Sequence, residues 1–169
     1  DGRVYVATHD GGGYHSDDGG ETWQPDGFFH LYGVDPLDPL HILAWSWSGV
    51  NRTDDGGVTW QNATTGIEGI TLNEVAASPS APQIVYASTY NGVARSTDGG
   101  LNWDFPILSV SAAGPAIDPT DPNTLYVGSG IPPKVYRSIN GGSSWSSSVI
   151  TTTDAVLMSL AVDPNTTTT

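Results

Sequence analysis

An eight-residue pattern returns four times along this chain of 169 residues, at a spacing of about 40. A unit repeated at that interval restricts the fold to repeat architectures, in which each copy buries its apolar surface against its neighbours. The copies are Ser16-Asp17-Asp18-Gly19-Gly20-Glu21-Thr22-Trp23, Thr53-Asp54-Asp55-Gly56-Gly57-Val58-Thr59-Trp60, Ser96-Thr97-Asp98-Gly99-Gly100-Leu101-Asn102-Trp103 and Ser138-Ile139-Asn140-Gly141-Gly142-Ser143-Ser144-Trp145.

The same strand signals surround every copy. A short apolar run ends in a proline turn (Val34-Asp35-Pro36, Ala77-Ser78-Pro79, Ile117-Asp118-Pro119, Val162-Asp163-Pro164), and a second run follows at Val4-Tyr5-Val6, Ile42-Leu43-Ala44, Ile84-Val85-Tyr86 and Leu125-Tyr126-Val127. A third run leads into the Ser/Thr-x-Asp turn and a fourth begins at the Trp. Four short strands per repeat give an all-β fold of β-propeller blades, each with four antiparallel strands. Blade boundaries fall at about 1–27, 28–66, 67–108 and 109–150, with an orphan first strand within about 151–169.

The turn has a physical logic. The carboxylates of Asp18, Asp55 and Asp98, or the amide of Asn140, accept backbone N–H bonds; Gly20, Gly57, Gly100 and Gly142 permit positive φ; Ser16, Thr53, Ser96 and Ser138 tie down a neighbouring group. Trp23, Trp60, Trp103 and Trp145 are expected to plug their blades as core residues, each costing about 3–5 kcal/mol on replacement by Ala. Asn140, with Ser144 in the Thr place, predicts a looser fourth turn.

The pattern Ser-x-Asp-x-Gly-x-Thr-Trp resembles the Asp-box, or bacterial neuraminidase repeat, of sialidases, xyloglucan-active glycoside hydrolases, sortilin-type receptors and photosystem assembly factors. In style it is most similar to the xyloglucanase-like and sortilin-like repeats. The resemblance implies that the Asp-box turns and Asp-Pro turns share one face of the propeller, while ligands bind on the other. It also makes the Asp-box residues structural.

Cut by blade, the chain opens at a second strand (Arg3–Thr8) and closes with an unmatched first strand (Leu157–Val162). Three arrangements fit: a small closed ring, head-to-tail donation of the orphan strand to another copy, or a window on a larger propeller. The resemblance favours the window.

A net charge of −13 with five cationic residues repels phosphate backbones and anionic membrane surfaces, so nucleic acid is not an expected partner. Nor does any run approach the roughly 20 apolar residues of a membrane helix, so no membrane insertion is expected. The chain has no cysteine, and its four histidines lack metal-ligand spacing, so neither metal nor cofactor is expected. Arg52, Arg95 and Arg137 each precede the Ser/Thr of an Asp-box, a regularity that marks them as structural or surface ion-pair residues and argues against a sialidase arginine cluster.

Candidate ligand contacts lie on the opposite face, in loops between second and third strands and between blades. His9, Asp10, His30, Trp45, Trp47, Glu68 and Tyr90 gather there, with Phe28, Phe29, Asn91 and Asp154. Trp45 and Trp47 depart from small or polar residues in the other blades and are suited either to stacking on a sugar ring or to filling a wider central channel. Asp10, Glu68 and Asp154 are the carboxylates from which a glycosidase pair would have to come; no catalytic residue is assigned. Asn51, Asn62 and Asn165 begin N-glycosylation acceptor sequences.

These features point to an extracellular or cell-surface binding or scaffold module that presents loops to glycan or protein, or to copies of itself through the orphan strand. The alternative is a fragment of a secreted glycoside hydrolase acting on β-glucan, which the stretch Asp118-Pro119-Thr120-Asp121-Pro122-Asn123-Thr124-Leu125-Tyr126-Val127 resembles.

Overall fold

The computed structural model describes residues 2–8, 12–27, 31–35, 37–46, 49–68, 70–150, 157 and 160–164. All of its named elements are strands, and among the described residues no helix is long and apolar enough to cross a membrane. Blade 1 comprises β1 (Val4–Ala7), β2 (Gly13–Ser16) and β3 (Gln24–Gly27); blade 2 comprises β4 (Leu31–Val34), β5 (Ile42–Ser46), β6 (Gly49–Thr53) and β7 (Gln61–Asn62). Blade 3 holds β8 (Leu72–Ser78), β9 (Ala81–Thr89), β10 (Val93–Ser96) and β11 (Asp104–Leu108), and blade 4 holds β12 (Ala112–Ile117), β13 (Leu125–Ser129), β14 (Lys134–Ser138) and β15 (Ser146–Val149).

Among the described residues, each blade is an antiparallel meander in chain order, four-stranded except for blade 1, in which β1 is an edge strand. The Ser/Thr of every Asp-box pairs with the start of its second strand: Val4 with Ser16, Ile42 with Thr53, Val85 with Ser96 and Leu125 with Ser138. Innermost strands of successive blades lie side by side, β4 against β8 and β8 against β12. The expected second strands are thus all present. Leu157 and Leu160–Val162 belong to no strand.

The Asp-box works as a closed hydrogen-bond unit. Ser16 Oγ donates to Asp18 at 2.7 Å and accepts Gly20 N–H at 2.8 Å, while Asp18 also accepts Thr22 N–H at 2.9 Å and the Thr22 hydroxyl. Thr53, Asp55, Gly57 and Thr59 repeat the scheme. In the third box Asn102 substitutes its amide for the hydroxyl, donating to Asp98 at 2.7 Å. The expected looser fourth turn is corrected: Asn140 accepts Ser138 Oγ and Ser144 N–H through its oxygen, then donates to Ser144 Oγ at 2.8 Å. A hydroxyl can reverse its role, so a neutral amide closes the same net.

Those donors hold the carboxylates ionised. The Thr22 and Ser16 hydroxyls and Thr22 N–H keep Asp18 well below the usual carboxylate range, and the Thr59 hydroxyl and N–H with the Thr53 hydroxyl bring Asp55 to about 2. At Asp98 burial pulls upward, yet bonds from Asn102, Ser96 and Leu101 outweigh it and leave a value of about 2.

Both turn types fall at one end of blades 2, 3 and 4. Gly56 N–H bonds Leu40 O, Gly99 N–H bonds Gln83 O and Gly141 N–H bonds Asn123 O, at 2.9–3.0 Å, joining Asp-box to the turn before the second strand. The loops between second and third strands and between blades therefore occupy the other end.

The apolar cores lie between blades. Leu43, Trp45, Val50 and Ala63 of blade 2 pack with Ile67, Leu72, Val85, Ala87, Ala94 and Trp103 on the side of blade 3. Tyr86 and Val93 of blade 3 pack with Ala112, Ile117, Leu125 and Val127 of blade 4. Successive strand residues thus face opposite neighbours, which is why these strands read as nearly continuous apolar runs.

This corrects the expectation for the Asp-box tryptophans. Two of them reach back to the preceding blade: Trp103 Nε1 donates to Ala63 O and Trp145 Nε1 to Ile107 O, both at 3.0 Å, the latter shared with Gly142 O of its own turn. Trp103 is 6% exposed, whereas Trp23, with no blade before it among the described residues, is 43% exposed. Trp103 is a core residue, while Trp60 and Trp145 are half-buried.

Candidate functional site

At the end opposite the Asp-boxes, blades 3 and 4 diverge around an open cavity of about 600 Å³. Its walls come from the β8 start (Asn73, Glu74), the β9–β10 loop (Tyr90), the β11–β12 connection (Ser111), the β13–β14 loop (Gly130, Ile131) and Leu157. Tyr90 and Ile131 are both 66% exposed at the rim, where an apolar ligand surface would meet them. This volume falls in the ordinary range for small-ligand sites, and apolar rims with a few polar groups are their usual lining.

The polar groups are partly committed. Asn73 Nδ2 donates to Ala112 O at 2.9 Å, fixing blade 3 to blade 4 and leaving its amide oxygen as an acceptor. Ser129 Oγ donates to Ser111 O at 2.5 Å. Glu74 pairs across the sheet with Ser88, a buried hydroxyl without a hydrogen-bond partner among the described residues. Desolvation by the surrounding sheet raises the Glu74 pKa above its ordinary value. Glu74 is itself exposed, so its carboxyl is open to a ligand at the cavity wall.

Of the residues expected at a ligand site, Tyr90 lies on this cavity. Glu68 is elsewhere: its carboxylate accepts Gly66 N–H at 3.1 Å within the connection to blade 3. Trp45 is corrected. It is 8% exposed inside the core between blades 2 and 3, so it packs rather than stacks on a ligand. His9, Asp10, His30, Trp47, Phe28, Phe29, Asp154 and Asn165 lie outside the described residues. Asn62 is exposed, with its side-chain oxygen capping Thr64 N–H at 3.2 Å, and Asn51 is half-buried, donating to Gly49 O at 3.5 Å.

Glu74 and Asn73 were not among the expected residues, although the repeat held a signal. Glu74 stands opposite Ser88 where blade 2 has Leu31 opposite Trp45. A carboxylate in an innermost strand, where another blade has leucine, is as much a departure as an extra tryptophan.

A second cavity of about 380 Å³ lies at the Asp-box end between blades 2 and 3. Its cation is occupied: Arg52 bonds Asp54 at 2.7 Å, Asp98 O at 2.9 Å and Gly99 O at 3.1 Å. Beside it His41 lies 3.5–3.8 Å from carboxylate oxygens of Asp35, Asp38 and Asp54, yet the described residues contain no group of His, Cys, Asp and Glu arranged to hold a metal ion.

The family model for the BNR/Asp-box repeat matches residues 14–25, the first of the four turns. No curated protein shows significant sequence similarity to the chain. Among solved structures, the chain is similar to an ancestral GH74 enzyme, at 24% identity over 85% of this chain and 22% of that one, with a TM-score of 0.71. It is similar also to the GH74 xyloglucanase from Xanthomonas campestris (20% identity, 86% of this chain, 28% of that chain, TM-score 0.67). A third likeness is to YCF48 bound to D1 peptide (20% identity, 86% of this chain, 49% of that chain, TM-score 0.59). The chain therefore spans less than half the length of each of these relatives. With the turns, the sheet order and these likenesses together, the chain is a run of Asp-box β-propeller blades.

Proposed function

We propose that the chain is part of an extracellular or cell-surface binding module, which meets a glycan or a protein segment at the blade 3–blade 4 cavity. The observation that carries this reading is the lining itself: Tyr90 and Ile131 offer an apolar rim, Asn73 an acceptor and Glu74 an exposed carboxyl. Such a set suits a neutral, hydrogen-bonding ligand, either the hydroxyl-bearing face of a sugar or a peptide backbone. The likeness to a peptide-bound propeller and to glycan-cleaving propellers supports both ligand classes.

A hydrolase fragment is the second reading, favoured by the likeness to GH74 enzymes. Glycoside hydrolysis needs two carboxyl groups about 5–9.5 Å apart, and Glu74 is the single carboxylate among the described lining residues. Binding without turnover is what this wall supports.

Calorimetric titration with β-glucan oligosaccharides and with a panel of extended peptides, accompanied by an assay for released reducing ends, tests the proposal. Saturable binding of one class, weakened by Tyr90→Ala and without released ends, is expected. Release of reducing ends would establish the hydrolase reading, and a lack of binding to either class would defeat the module.

A further inference from the structure

The cavity of about 380 Å³ between blades 2 and 3 has a largely apolar wall, built from Leu37, Ile42 and Leu43 on one side and Ala77, Pro82 and Val85 on the other. Two of its charged groups are fully committed: Arg52 to Asp54 and two carbonyls, and Asp98 to the donors of its own Asp-box. Asp35 and Asp38, in the turn before β5, are not.

Blade 4 repeats this turn bond for bond and so shows what blade 2 lacks. Leu37 and Asp38 N–H donate to Asp35 as Thr120 and Asp121 N–H donate to Asp118. Leu40 N–H donates to Asp38 as Asn123 N–H donates to Asp121. In blade 4 two hydroxyls complete the net: Thr120 Oγ1 donates to Asp118 at 2.8 Å, and Thr124 Oγ1 donates to Asp121 Oδ2 at 2.7 Å. Blade 2 has Leu37 and His41 in those places. Leucine donates nothing, and His41 Nδ1 stays 3.8 Å from Asp35 Oδ2 and 3.7 Å from Asp38 Oδ2, beyond hydrogen-bond length. Both carboxylates therefore keep an oxygen without a hydrogen bond among the described residues, and the Asp35 side chain is only 17% exposed.

We infer that this cavity receives a lysine side chain of a partner protein, with the aliphatic stem on the apolar wall and the ammonium at Asp35 Oδ2 and Asp38 Oδ2. Charge complementarity selects the occupant. An ammonium brings three donors and no acceptor, which is what two carboxylate oxygens without donors require, and its four-carbon stem covers apolar surface. The described residues hold no arrangement for a metal ion, and a bare ion would leave the apolar wall uncovered. Leu37 and Leu40, 71% and 51% exposed in the same turn, add apolar surface for the segment that presents the lysine. The net charge of −13 favours the approach of a basic segment. This seat lies at the opposite end from the blade 3–blade 4 cavity and is independent of the ligand proposed there.

Titration of the 169-residue chain with Nα-acetyl-lysine methylamide, followed by amide shifts, tests the inference, with salt of about 0.15 M to screen diffuse attraction. The norleucine derivative, which keeps the four stem carbons without the ammonium, is the comparison. Saturable shifts at Asp38, His41, Val85 and Gly99 are expected, with a dissociation constant of about 1 mM for so small a ligand and binding about tenfold weaker for norleucine. Asp38→Asn, whose amide oxygen still accepts Leu40 N–H, should weaken lysine binding about fivefold or more. The pair Leu37→Thr and His41→Thr restores the blade 4 turn, so it is expected to fold and to weaken binding as much. Glu21→Gln, at an exposed carboxylate of the first box, should leave binding unchanged. Equal binding of the two derivatives, equal weakening by Glu21→Gln, shifts centred on Glu74 and Tyr90, or no saturation by about 10 mM overturns the inference.

Discussion

Trp103 donates its indole N–H to the carbonyl of Ala63 at 3.0 Å, although the two are 40 residues apart and in successive blades. The repeat's most regular aromatic residue is thus an inter-blade bolt, with a value set by whether a preceding blade is there to receive it. Trp103→Ala is expected to destabilise the chain by about 3–5 kcal/mol, while Trp23→Ala changes stability by about 0.5 kcal/mol or less, as surface substitutions do. Urea unfolding midpoints of the two variants measure the difference directly.

The same junction places Gly66, at φ +95°, so that an added Cβ would lie 2.1 Å from Trp103 O. Neither the backbone angle nor the space admits a side chain. Gly66→Ala should cost at least about 2 kcal/mol, combining strain with displacement of the Trp103 backbone, and it should lower protection of the Trp103 amide, which bonds Thr65 O at 2.9 Å. Hydrogen exchange at that amide reports the loss.

Acid should loosen the Asp-boxes in a defined window. Asp55 falls from 3.8 to about 2 because Thr59 and Thr53 donate to its charged form; a depressed acid stabilises the fold above its ordinary pKa, and that contribution is lost as pH falls through 3.8 towards about 2. Box four shows that an amide closes the same turn. Asp55→Asn is therefore expected to fold and to flatten the acid side of the stability profile, whereas Asp55→Ala, which orphans Thr59 N–H, lowers stability at neutral pH as well. Unfolding midpoints across this range distinguish the two.

Glu74 predicts the opposite sign. Its folded pKa is raised from 4.5 by desolvation, so stability is greatest below that value and declines as pH rises through the folded pKa. Glu74→Gln should stabilise the chain at neutral pH and leave it unchanged in acid. If the carboxyl is where ligand hydrogen bonds are made, the same variant also weakens ligand binding, a trade between stability and function that midpoint and affinity measured on one sample would expose.

The turns and the strand order were legible because they depend on local chemistry: glycines at positive φ, Asp with donors two to four residues away, and apolar runs between proline turns. What the sequence did not show is which side of a blade each residue faces. The register places Trp45 with Ser88 rather than with Ala87, since Ile42 and Val85 both oppose the Ser/Thr of their boxes. One residue of slip exchanges the two faces of a strand, and that slip separates a tryptophan at a ligand from one in a core. The cavity was illegible for a related reason: Glu74 comes from strand β8, Tyr90 from the β9–β10 loop and Ile131 from the β13–β14 loop, which only the packing of blade 3 on blade 4 brings together.

Mapping a bound ligand onto the amide spectrum of the chain tests most directly whether the working face is the one opposite the Asp-boxes. Titration with a binding oligosaccharide or peptide should shift the amides of Asn73, Glu74, Tyr90, Ser111 and Ile131 while leaving Gly20, Gly57, Gly100 and Gly142 in place. Shifts confined to the Asp-box glycines and their turns, with the cavity amides unmoved, would contradict the account.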